Sequence, residues 1–213
     1  MVNGSGRDNE TERVRGVYDR LARRYDGAIR LPERLLFTGG RAWVCSQAIG
    51  DVLEVGAGTG RNLAWYPPGV RLTGIDISPG MLDIARQRRD AAGLDADLRV
   101  GDAQRMEFSD HCFDTVLATL SLCSIPDDAA AVTEMARVLR PGGRLLLLEH
   151  VASPRPIVRG GQRLMEPLFV RLQGDHLLRR PEEQVAAAGL CVDQLLRSAW
   201  GITVRLAAHK ALA

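Results

Sequence analysis

The stretch DVLEVGAGTGRN, residues 51–62, decides how the rest of the chain folds. Its first half is apolar apart from one acid, Glu54, and predicts a buried parallel strand. Its second half carries Gly56, Gly58 and Gly60, which predict a tight turn without Cβ atoms before a helix. Backbone amides at such a turn bind polar or anionic groups of a ligand. The stretch therefore predicts the first strand, turn and helix of an α/β domain.

The spacing of the glycines narrows the class of ligand. A dinucleotide-binding turn has the pattern G-x-G-x-x-G, whereas here Gly60 comes one residue early and Arg61 takes the expected place. No lysine follows the glycines, which argues against a nucleoside triphosphate site. Glu54 would be a buried carboxylate, which needs a cationic or hydrogen-bond-donating partner. Glycine turns also occur for steric reasons alone, so the ligand has to be argued from further residues.

An acid follows each of the next two predicted strands. Asp76 ends the strand VRLTGID, twenty residues after the first glycine. At that position in a doubly wound sheet, an acid faces the ribose of a nucleoside bound across the glycine turn. The alternative role for Asp76, capping the next helix, is less favoured because Ser78 is available as the cap. Asp102 follows the third strand, where it could accept from an adenine amine, and Met81 could lie against the adenine face.

Length and composition indicate one globular domain. The chain has 213 residues, 46% of them hydrophobic, which is enough for one substantial core. A formal net charge of +2 is too small to argue for a nucleic acid partner. The four cysteines form no C-x-x-C pair, so we expect reduced thiols in a cytoplasmic protein. We expect neither a membrane-spanning segment nor a secretory signal, because no stretch has the required apolar length.

The first fifty residues predict a helical segment ahead of the sheet. Residues 1–9 are polar and contain glycine and serine, so we expect a disordered start. Residues 29–49 predict two helical pieces that break at Gly39 and Gly40. The helix predicted over residues 10–25 either packs its apolar stripe on the domain or lies on a membrane surface. That stripe consists of Val14, Val17, Tyr18, Leu21 and Tyr25, with arginines on the opposite face.

The motif series LEVGAGTG, GIDIS, GDA, FDTV and RVLRPGGRLLLLEH resembles the ubiquinone/menaquinone-biosynthesis type of class I methyltransferase. The resemblance covers about residues 18–151 and implies S-adenosylmethionine as the cofactor, with S-adenosylhomocysteine as its product. Residues 120–125, together with Glu149 and His150, are most similar to thiol S-methyltransferases. The glycine turn and the opening helix are similar to bacterial phosphatidylethanolamine N-methyltransferases. These families methylate different atoms, so the resemblance fixes the donor and leaves the acceptor open.

The resemblance also implies the residues that bind the cofactor. The glycine turn and Glu54 would meet its methionyl end, Asp76 its ribose, and Asp102 with Ala103 its adenine. Tyr25 is similar to the tyrosine of the family's lid. The cofactor site predicted in this way comprises Tyr25, Glu54, Gly56, Ala57, Gly58, Gly60, Asn62, Asp76, Ile77, Met81, Asp102, Ala103, Thr119 and Leu120.

The fold predicted from these patterns is α/β: a Rossmann-like, seven-stranded, mostly parallel sheet with helices on both faces. Residues 190–198 and 202–208 predict a final strand pair that adds one antiparallel strand near the C-terminus. The predicted divisions are a disordered start at 1–9, an N-terminal helical lid at 10–50 and the cofactor-binding domain at 51–213. Within that domain, residues 152–180 predict a lid over the acceptor.

Methyl transfer is an in-line displacement at carbon, so the protein mainly aligns the reactants and excludes water. A base is needed only when the acceptor arrives protonated, and a thiol with a pKa of about 8.5 needs less help than a phenol at about 10. The candidate catalytic residues are His150, after the fifth strand, His176 and Tyr25. For each histidine the alternative is a structural hydrogen bond. The spacing of the histidines and cysteines predicts no metal site.

We therefore predict an S-adenosylmethionine-dependent methyltransferase that acts on a small or amphiphilic acceptor, with a thiol favoured. A phospholipid amine or a quinone-like or phenol-like ring is the alternative acceptor. A cofactor-binding regulatory module without catalytic activity is the alternative of another class. The expected partners are a small or lipid-like molecule and no nucleic acid. The expected location is cytoplasmic, with peripheral membrane contact through the N-terminal helix as the open alternative.

Overall fold

The computed structural model describes residues 4–212, which form seven strands and six α-helices. The strands are β1 (Asp51–Val55), β2 (Arg71–Asp76), β3 (Ala96–Val100), β4 (Phe113–Thr119), β5 (Leu139–His150), β6 (Leu190–Ser198) and β7 (Thr203–Lys210). The helices are α1 (Gly4–Leu36), α2 (Gly40–Cys45), α3 (Pro79–Ala92), α4 (Asp128–Val138), α5 (Pro156–Gln173) and α6 (Pro181–Ala187). Short 3-10 helices cover Leu63–Trp65 and Ala199–Gly201.

The seven strands form one sheet in the order β3-β2-β1-β4-β5-β7-β6. Neighbouring strands are parallel except β7, which is antiparallel to both β5 and β6. Val55, at the end of β1, lies opposite Ile75 of β2 and Ala118 of β4. The glycine turn, Asp76 and Thr119 therefore leave the sheet side by side at one edge. The predicted fold class, including its antiparallel strand near the C-terminus, is confirmed.

Apolar side chains pack on both faces of the sheet, because successive residues of a strand point to opposite sides. Leu53 and Val55 join one core cluster with Met135 of α4. Val52 joins a second cluster with Val44 of α2. All five side chains are completely buried. Helices cover both faces, so a ligand can approach the sheet only at the ends of its strands.

Helix α1 is longer than the sequence predicts. It begins at Gly4, so residues 4–9 are helical rather than disordered; residues 1–3 lie outside the described part of the chain. It also continues through Gly27 and Pro32, because extending an existing helix is far easier than starting one and a proline removes only one of its hydrogen bonds. The predicted break comes at Gly39, whose φ of 69° is left-handed.

Strand β5 also differs from its prediction. Residues 140–143, RPGG, predict a turn that leads into a strand at Arg144, whereas β5 already begins at Leu139. Leu139 pairs with Phe113 and Arg144 pairs with Thr115, so four residues of β5 lie between these two pairs where β4 has only one. The predicted turn is therefore an irregular bulge within the strand, which Gly142 permits with a φ of 76°.

The glycine turn after β1 is left-handed at all three glycines, with φ of 72° at Gly56, 56° at Gly58 and 75° at Gly60. Gly56 also meets the loop after β4 closely, since a Cβ on it would lie 2.4 Å from the Cβ of Ser121. The amides of Gly56 and Ala57 both donate to the carbonyl of Ile75, at 2.9 and 3.0 Å. Glycine is therefore required here both by the backbone conformation and by the close approach of a second loop.

We expect Gly56→Ala to destabilise the fold more than Gly93→Ala. Both positions have a left-handed φ, but a Cβ at Gly93 meets nothing within 4 Å. Gly93→Ala should therefore lower the free energy of unfolding by about 1 kcal/mol through backbone strain alone. Gly56→Ala adds the clash with Ser121, which should cost about 1–3 kcal/mol more. Urea unfolding measures the difference, and equal losses in the two variants would contradict this account of the turn.

Candidate active site

A cavity of about 820 Å³ opens at the strand ends, under helix α1. Part of this volume is open to solvent at the mouth of the cavity. Most of the predicted cofactor residues line it, whereas Glu54, Gly60 and Asn62 do not. The predicted residues that line the cavity are Tyr25, Gly56, Ala57, Gly58, Asp76, Ile77, Met81, Asp102, Ala103, Thr119 and Leu120. The fold thus brings residues from α1, four strand ends and α3 around one space.

Asp76 connects the end of β2 to the glycine turn. One of its oxygens accepts from the amide of Gly58 at 2.8 Å and the other from the amide of Ser78 at 2.9 Å. Burial raises the pKa of Asp76 to about 6, and these two amides offset part of the rise. The Ser78 hydroxyl accepts from the amide of Met81 and so caps α3, as predicted. Asp76 is held in place from both sides while its carboxylate borders the cavity.

Asp102 is held by Gln104, a residue that the sequence did not single out. Its carboxylate accepts from the Gln104 amide at 2.9 Å and from the Gln104 side chain at 3.0 Å. The same side chain donates to the hydroxyl of Thr11 on α1 and accepts from the amide of Asp127. Gln104 therefore joins the end of β3 to α1 and to the start of α4. A lone glutamine carries no signal in a sequence, so only the geometry reveals this role.

Glu54 lies inside the wall of the cavity rather than at its surface. Its carboxylate accepts from Asn62 Nδ2 and from the hydroxyl of Tyr66, both at 2.8 Å, and only 1% of the residue is exposed. Burial raises its pKa to about 7, an effect that Tyr66, Arg41 and Asn62 reduce. The hydrogen-bonding partner that a buried carboxylate requires is therefore supplied by the protein itself. Neither Glu54 nor Asn62 lines the cavity.

Arg41 is a residue of the cavity wall that the sequence did not single out. It lines the cavity and donates to Asn62 Oδ1 at 2.8 Å and to Thr119 Oγ1 at 3.1 Å. Asn62, which is held by Glu54, thus fixes the position of the guanidinium. Only 8% of Arg41 is exposed, so its guanidinium is buried beside the cavity. Among so many arginines, nothing in the sequence marks this one.

Helix α1 is fixed over the cavity by three acids spaced seven residues apart, Asp19, Asp26 and Glu33. Seven residues make about two helical turns, so the three side chains share one face. Their partners, at 2.5–2.9 Å, are Ser78 and Gly80 for Asp19, Thr59 and Arg88 for Asp26, and Arg41 and Arg61 for Glu33. The inner face of α1 also places Tyr18 and Tyr25 in the cavity wall.

His150 lies one layer behind the cavity lining. The Tyr18 hydroxyl, which borders the cavity, donates to Asp175 at 2.9 Å. Asp175, His150 and Cys123 each bring a ligand-type atom to within 4.8 Å of the others. Burial, and then the charge of Arg179, lowers the pKa of His150 to about 4. The sequence predicted no metal site, because 27 and 25 residues separate these three side chains, and the fold nevertheless brings them together.

The other histidines do not line the cavity. The ring of His176 lies beside Glu166 of α5, with Nδ1 and Oε1 3.5 Å apart, and its backbone amide donates to the carbonyl of Cys123. Burial lowers the pKa of His176, Arg179 adds to the effect, and Glu166 opposes it. His111 and His209 also lie outside the cavity. Of the three candidate catalytic residues, only Tyr25 borders the cavity directly.

Known methyltransferases are similar to this chain in sequence and in fold. A family described as a methyltransferase domain matches residues 53–147. A phosphatidylethanolamine N-methyltransferase of Cereibacter sphaeroides is 44% identical over 108 residues, which are 50% of this chain and 53% of that protein. A demethylmenaquinone methyltransferase of Deinococcus radiodurans is 34% identical over 150 residues, 67% of this chain and 62% of that protein.

A thiol S-methyltransferase of Rattus norvegicus is 31% identical over 150 residues, which are 68% of this chain and 61% of that protein. The chain thus spans between 53% and 62% of the length of these three relatives. A solved structure of a SAM-dependent methyltransferase from Thermotoga maritima has the same fold, with a TM-score of 0.69 and 20% identity. That match covers 92% of this chain and 99% of the other.

The matched segment begins at β1 and ends within β5. It contains the glycine turn, Asp76, Asp102 and Thr119, which border the cavity. Residues 53–147 therefore match a methyltransferase domain, and the described residues have the fold of a solved SAM-dependent methyltransferase.

Proposed function

We propose that this protein transfers the methyl group of S-adenosylmethionine to a small or amphiphilic acceptor, with a thiol as the favoured acceptor. The observation that carries the proposal is Asp76, which lies beside the left-handed glycine turn and faces a cavity of about 820 Å³. The Gly58 and Ser78 amides orient its carboxylate, and each oxygen keeps a lone pair for a ligand hydroxyl. This is the arrangement that a ribose requires.

The residues around the cavity fit the remaining parts of the cofactor. Gly58 leaves open space where a side chain would stand, since a Cβ there meets only one atom, at 3.9 Å. Met81 offers a soft apolar surface for an adenine, and Asp102 an acceptor for its amine. Arg41 offers a guanidinium for the methionyl carboxylate. In this arrangement Glu54 acts through Asn62 and Arg41 rather than by contact.

The cofactor, when bound, supplies an electrophilic methyl carbon on a positively charged sulfur. The chain's own residues then have to align the acceptor and exclude water. Helix α1, fixed by its three acids, covers the cavity, and Tyr18 with Tyr25 gives it an aromatic wall. Burial raises the pKa of Tyr25, so this phenol stays neutral near pH 7 and can donate a hydrogen bond.

The lining of the cavity favours an acceptor that ionises easily. Its titratable members among the described residues are two tyrosines, two arginines and the acids Asp76 and Asp102, both of which the cofactor would engage. No histidine or lysine of the described part of the chain lines it. A thiol, with a pKa of about 8.5, needs the least help from a base. The resemblance to a thiol S-methyltransferase supports the same choice.

A transfer assay tests the proposed function. Labelled S-adenosylmethionine is offered with an alkyl thiol, a phenol, a quinol or phosphatidylethanolamine, and we expect the thiol to be methylated fastest. Faster methylation of the lipid amine or of a ring would overturn the thiol and favour the acceptors of the other relatives. Cofactor binding without transfer to any acceptor would instead identify a regulatory module.

We expect Asp76→Asn to weaken the binding of S-adenosylhomocysteine by about 10–100-fold, the range for losing a charge-assisted hydrogen bond and leaving its partner unpaired. Asp97→Asn on β3 is the matched control, because Asp97 pairs with Arg99 at the surface.

Ligand hydroxyls favour the ionised carboxylate, and the pKa of Asp76 is raised to about 6. Wild-type affinity should therefore fall as the pH drops below about 6, and the affinity of Asp76→Asn should not. Calorimetry from pH 5 to 8 measures both effects, and equal pH profiles would contradict the assignment.

We further propose that helix α5, rather than α1, contacts a membrane surface. The apolar stripe of α1 is turned toward the domain: Val14 is only 4% exposed, and Tyr18 and Tyr25 line the cavity. The outer face of α5 is the stripe Ile157, Leu164, Leu168 and Leu172, whose exposures are 92%, 81%, 49% and 59%. Trp200, 63% exposed, stands on the hairpin that packs against the residues before α5. No helix of the described residues is long and apolar enough to cross a bilayer.

The charges of α5 favour an anionic bilayer over a second copy of the chain. Its one acid, Glu166, is directed inward, where it accepts from the amide of Leu177. Arg163 and Arg171 remain exposed, and two such faces would repel each other. Arginines beside an apolar stripe are typical of a helix that lies on anionic lipid.

Sedimentation with vesicles tests this surface. The protein should pellet with vesicles that contain phosphatidylglycerol and not with pure phosphatidylcholine. Leu164→Glu should abolish pelleting, whereas Leu94→Glu, at a residue 38% exposed beyond α3, should not. Equal pelleting of the two variants would refute the membrane surface. If the wild type and Leu94→Glu form dimers and Leu164→Glu does not, a second copy of the chain covers this face instead.

A further inference from the structure

Three side chains with metal-binding chemistry meet directly behind Tyr18 and Ser124 of the cavity lining. Cys123 lies in the loop between β4 and α4, His150 ends β5, and Asp175 lies just after α5. One sulfur, one nitrogen and one oxygen from these residues lie within 4.8 Å of one another. Each residue comes from a different element at the same edge of the sheet, so the fold itself assembles the group.

His150 supplies a second, independent observation. Its Nδ1 is buried and has no hydrogen-bond partner among the described residues. Buried polar atoms are nearly always paired, so an unpaired one indicates a missing ligand or ion. A neutral imidazole nitrogen with a free lone pair is the commonest metal-binding group in proteins.

The surroundings hold the three side chains in place. Asp175 Oδ1 accepts from the Tyr18 hydroxyl at 2.9 Å and from the Cys123 thiol at 3.9 Å, and the carboxylate keeps further lone pairs for a metal ion that would replace the thiol proton. The carboxylate of Glu149 accepts from the amides of Ser121 and Leu122, both at 3.1 Å, and so fixes the loop that carries Cys123. Outer contacts of this kind orient the ligands in metal sites.

Arg179 is a cation that acts on His150 and Asp175, and its guanidinium is already engaged. Its guanidinium donates to the carbonyls of Leu122 and Pro126 and lies 3.5 Å from Asp128. It therefore closes the outer side of the cluster without taking the lone pairs of His150 or Asp175.

We propose that Cys123, His150 and Asp175 bind a zinc ion. Thiolate, imidazole and carboxylate together suit zinc, whereas magnesium and calcium prefer oxygen alone. Three protein ligands also leave one coordination position open, which is the pattern of catalytic rather than structural zinc. Ser124, next to Cys123, and Tyr18, bonded to Asp175, both line the cavity, so the three ligands lie directly behind that part of its lining.

The fourth ligand would be the sulfur of the acceptor thiol, and this part rests on the proposed function. The S–H bond of the thiol breaks as its sulfur binds zinc, and the proton leaves to solvent. The bound sulfur then forms a bond to the methyl carbon. The carbon–sulfur bond of the sulfonium breaks, and its electron pair stays on the cofactor's sulfur. A zinc ion would thus supply the activation for which the cavity lining offers no base.

Metal analysis of the untagged full chain tests the site without cofactor or acceptor. After equilibration with excess zinc and gel filtration, we expect one zinc per chain by mass spectrometry. Replacement by cobalt should give a thiolate-to-cobalt absorption band in the near ultraviolet. Cys123→Ser should lose the band and the zinc, whereas Cys191→Ser, which changes an exposed cysteine on β6, should keep both.

If Cys123→Ser does not fold, the cobalt spectrum of the wild type and the zinc affinity of Asp175→Asn still test the site. Asp175→Asn should bind zinc at least tenfold more weakly, and added zinc should raise the melting temperature of the wild type more than that of this variant. Less than a tenth of a zinc per chain in the wild type, or no cobalt band, would overturn the site. A zinc-loaded protein that methylates no thiol would overturn the proposed acceptor and leave the metal site standing.

Discussion

The structure depends on the close contact between the glycine turn after β1 and the loop after β4. Gly56 has no Cβ, so Ser121 can pack directly against it and donate from its hydroxyl to the carbonyl of Val55 at 3.1 Å. The amide of Ser121 donates in turn to Glu149 at the end of β5. Three neighbouring strand ends are thus linked through a single serine. That link sets the distance between the part of the cavity that suits the cofactor and the loop that carries Cys123.

Buried acids have two different roles around this link. Glu54 and Glu149 lie in the cavity wall and are only 1% exposed, and burial raises the pKa of each to about 7. Glu54 holds the side chain of Asn62, and Glu149 holds the loop after β4. Asp19, Asp26 and Glu33 instead hold α1 over the cavity through pairs and hydrogen bonds with the domain. Such pairs stabilise a fold when the geometry is good and every lone pair is used. The position of α1 over the cavity is therefore fixed by specific side-chain contacts.

Much of the fold could be predicted from the sequence because the strand ends of a parallel sheet meet at one edge. Glycines, an acid at the end of β2 and an acid after β3 therefore had to lie close together, and Asp76 and Asp102 do border one cavity. Glu54 shows where this reasoning stops. Both its position in β1 and its need for a partner were predictable. The sequence pointed to a ligand as that partner, whereas the hydrogen bonds come from Asn62 and Tyr66 of the protein itself.

The remaining features depend on loop conformation and side-chain direction, which local patterns do not encode. Arg41 reaches the cavity because Asn62 and Glu33 hold its guanidinium from two sides. Cys123, His150 and Asp175 meet only because a loop, a strand end and a turn converge. The continuity of α1 through Pro32 likewise depends on distant contacts, because Asp26 before the proline bonds to Thr59 and Glu33 after it pairs with Arg41.

The most direct test of the account is a crystal structure of the protein with S-adenosylhomocysteine. We expect the nucleoside to lie across the glycine turn, with both ribose hydroxyls on Asp76, the adenine between Met81 and Asp102, and the carboxylate at Arg41. A ligand bound outside this cavity, or bound within it with the Asp76 carboxylate directed away from the ribose, would contradict the account.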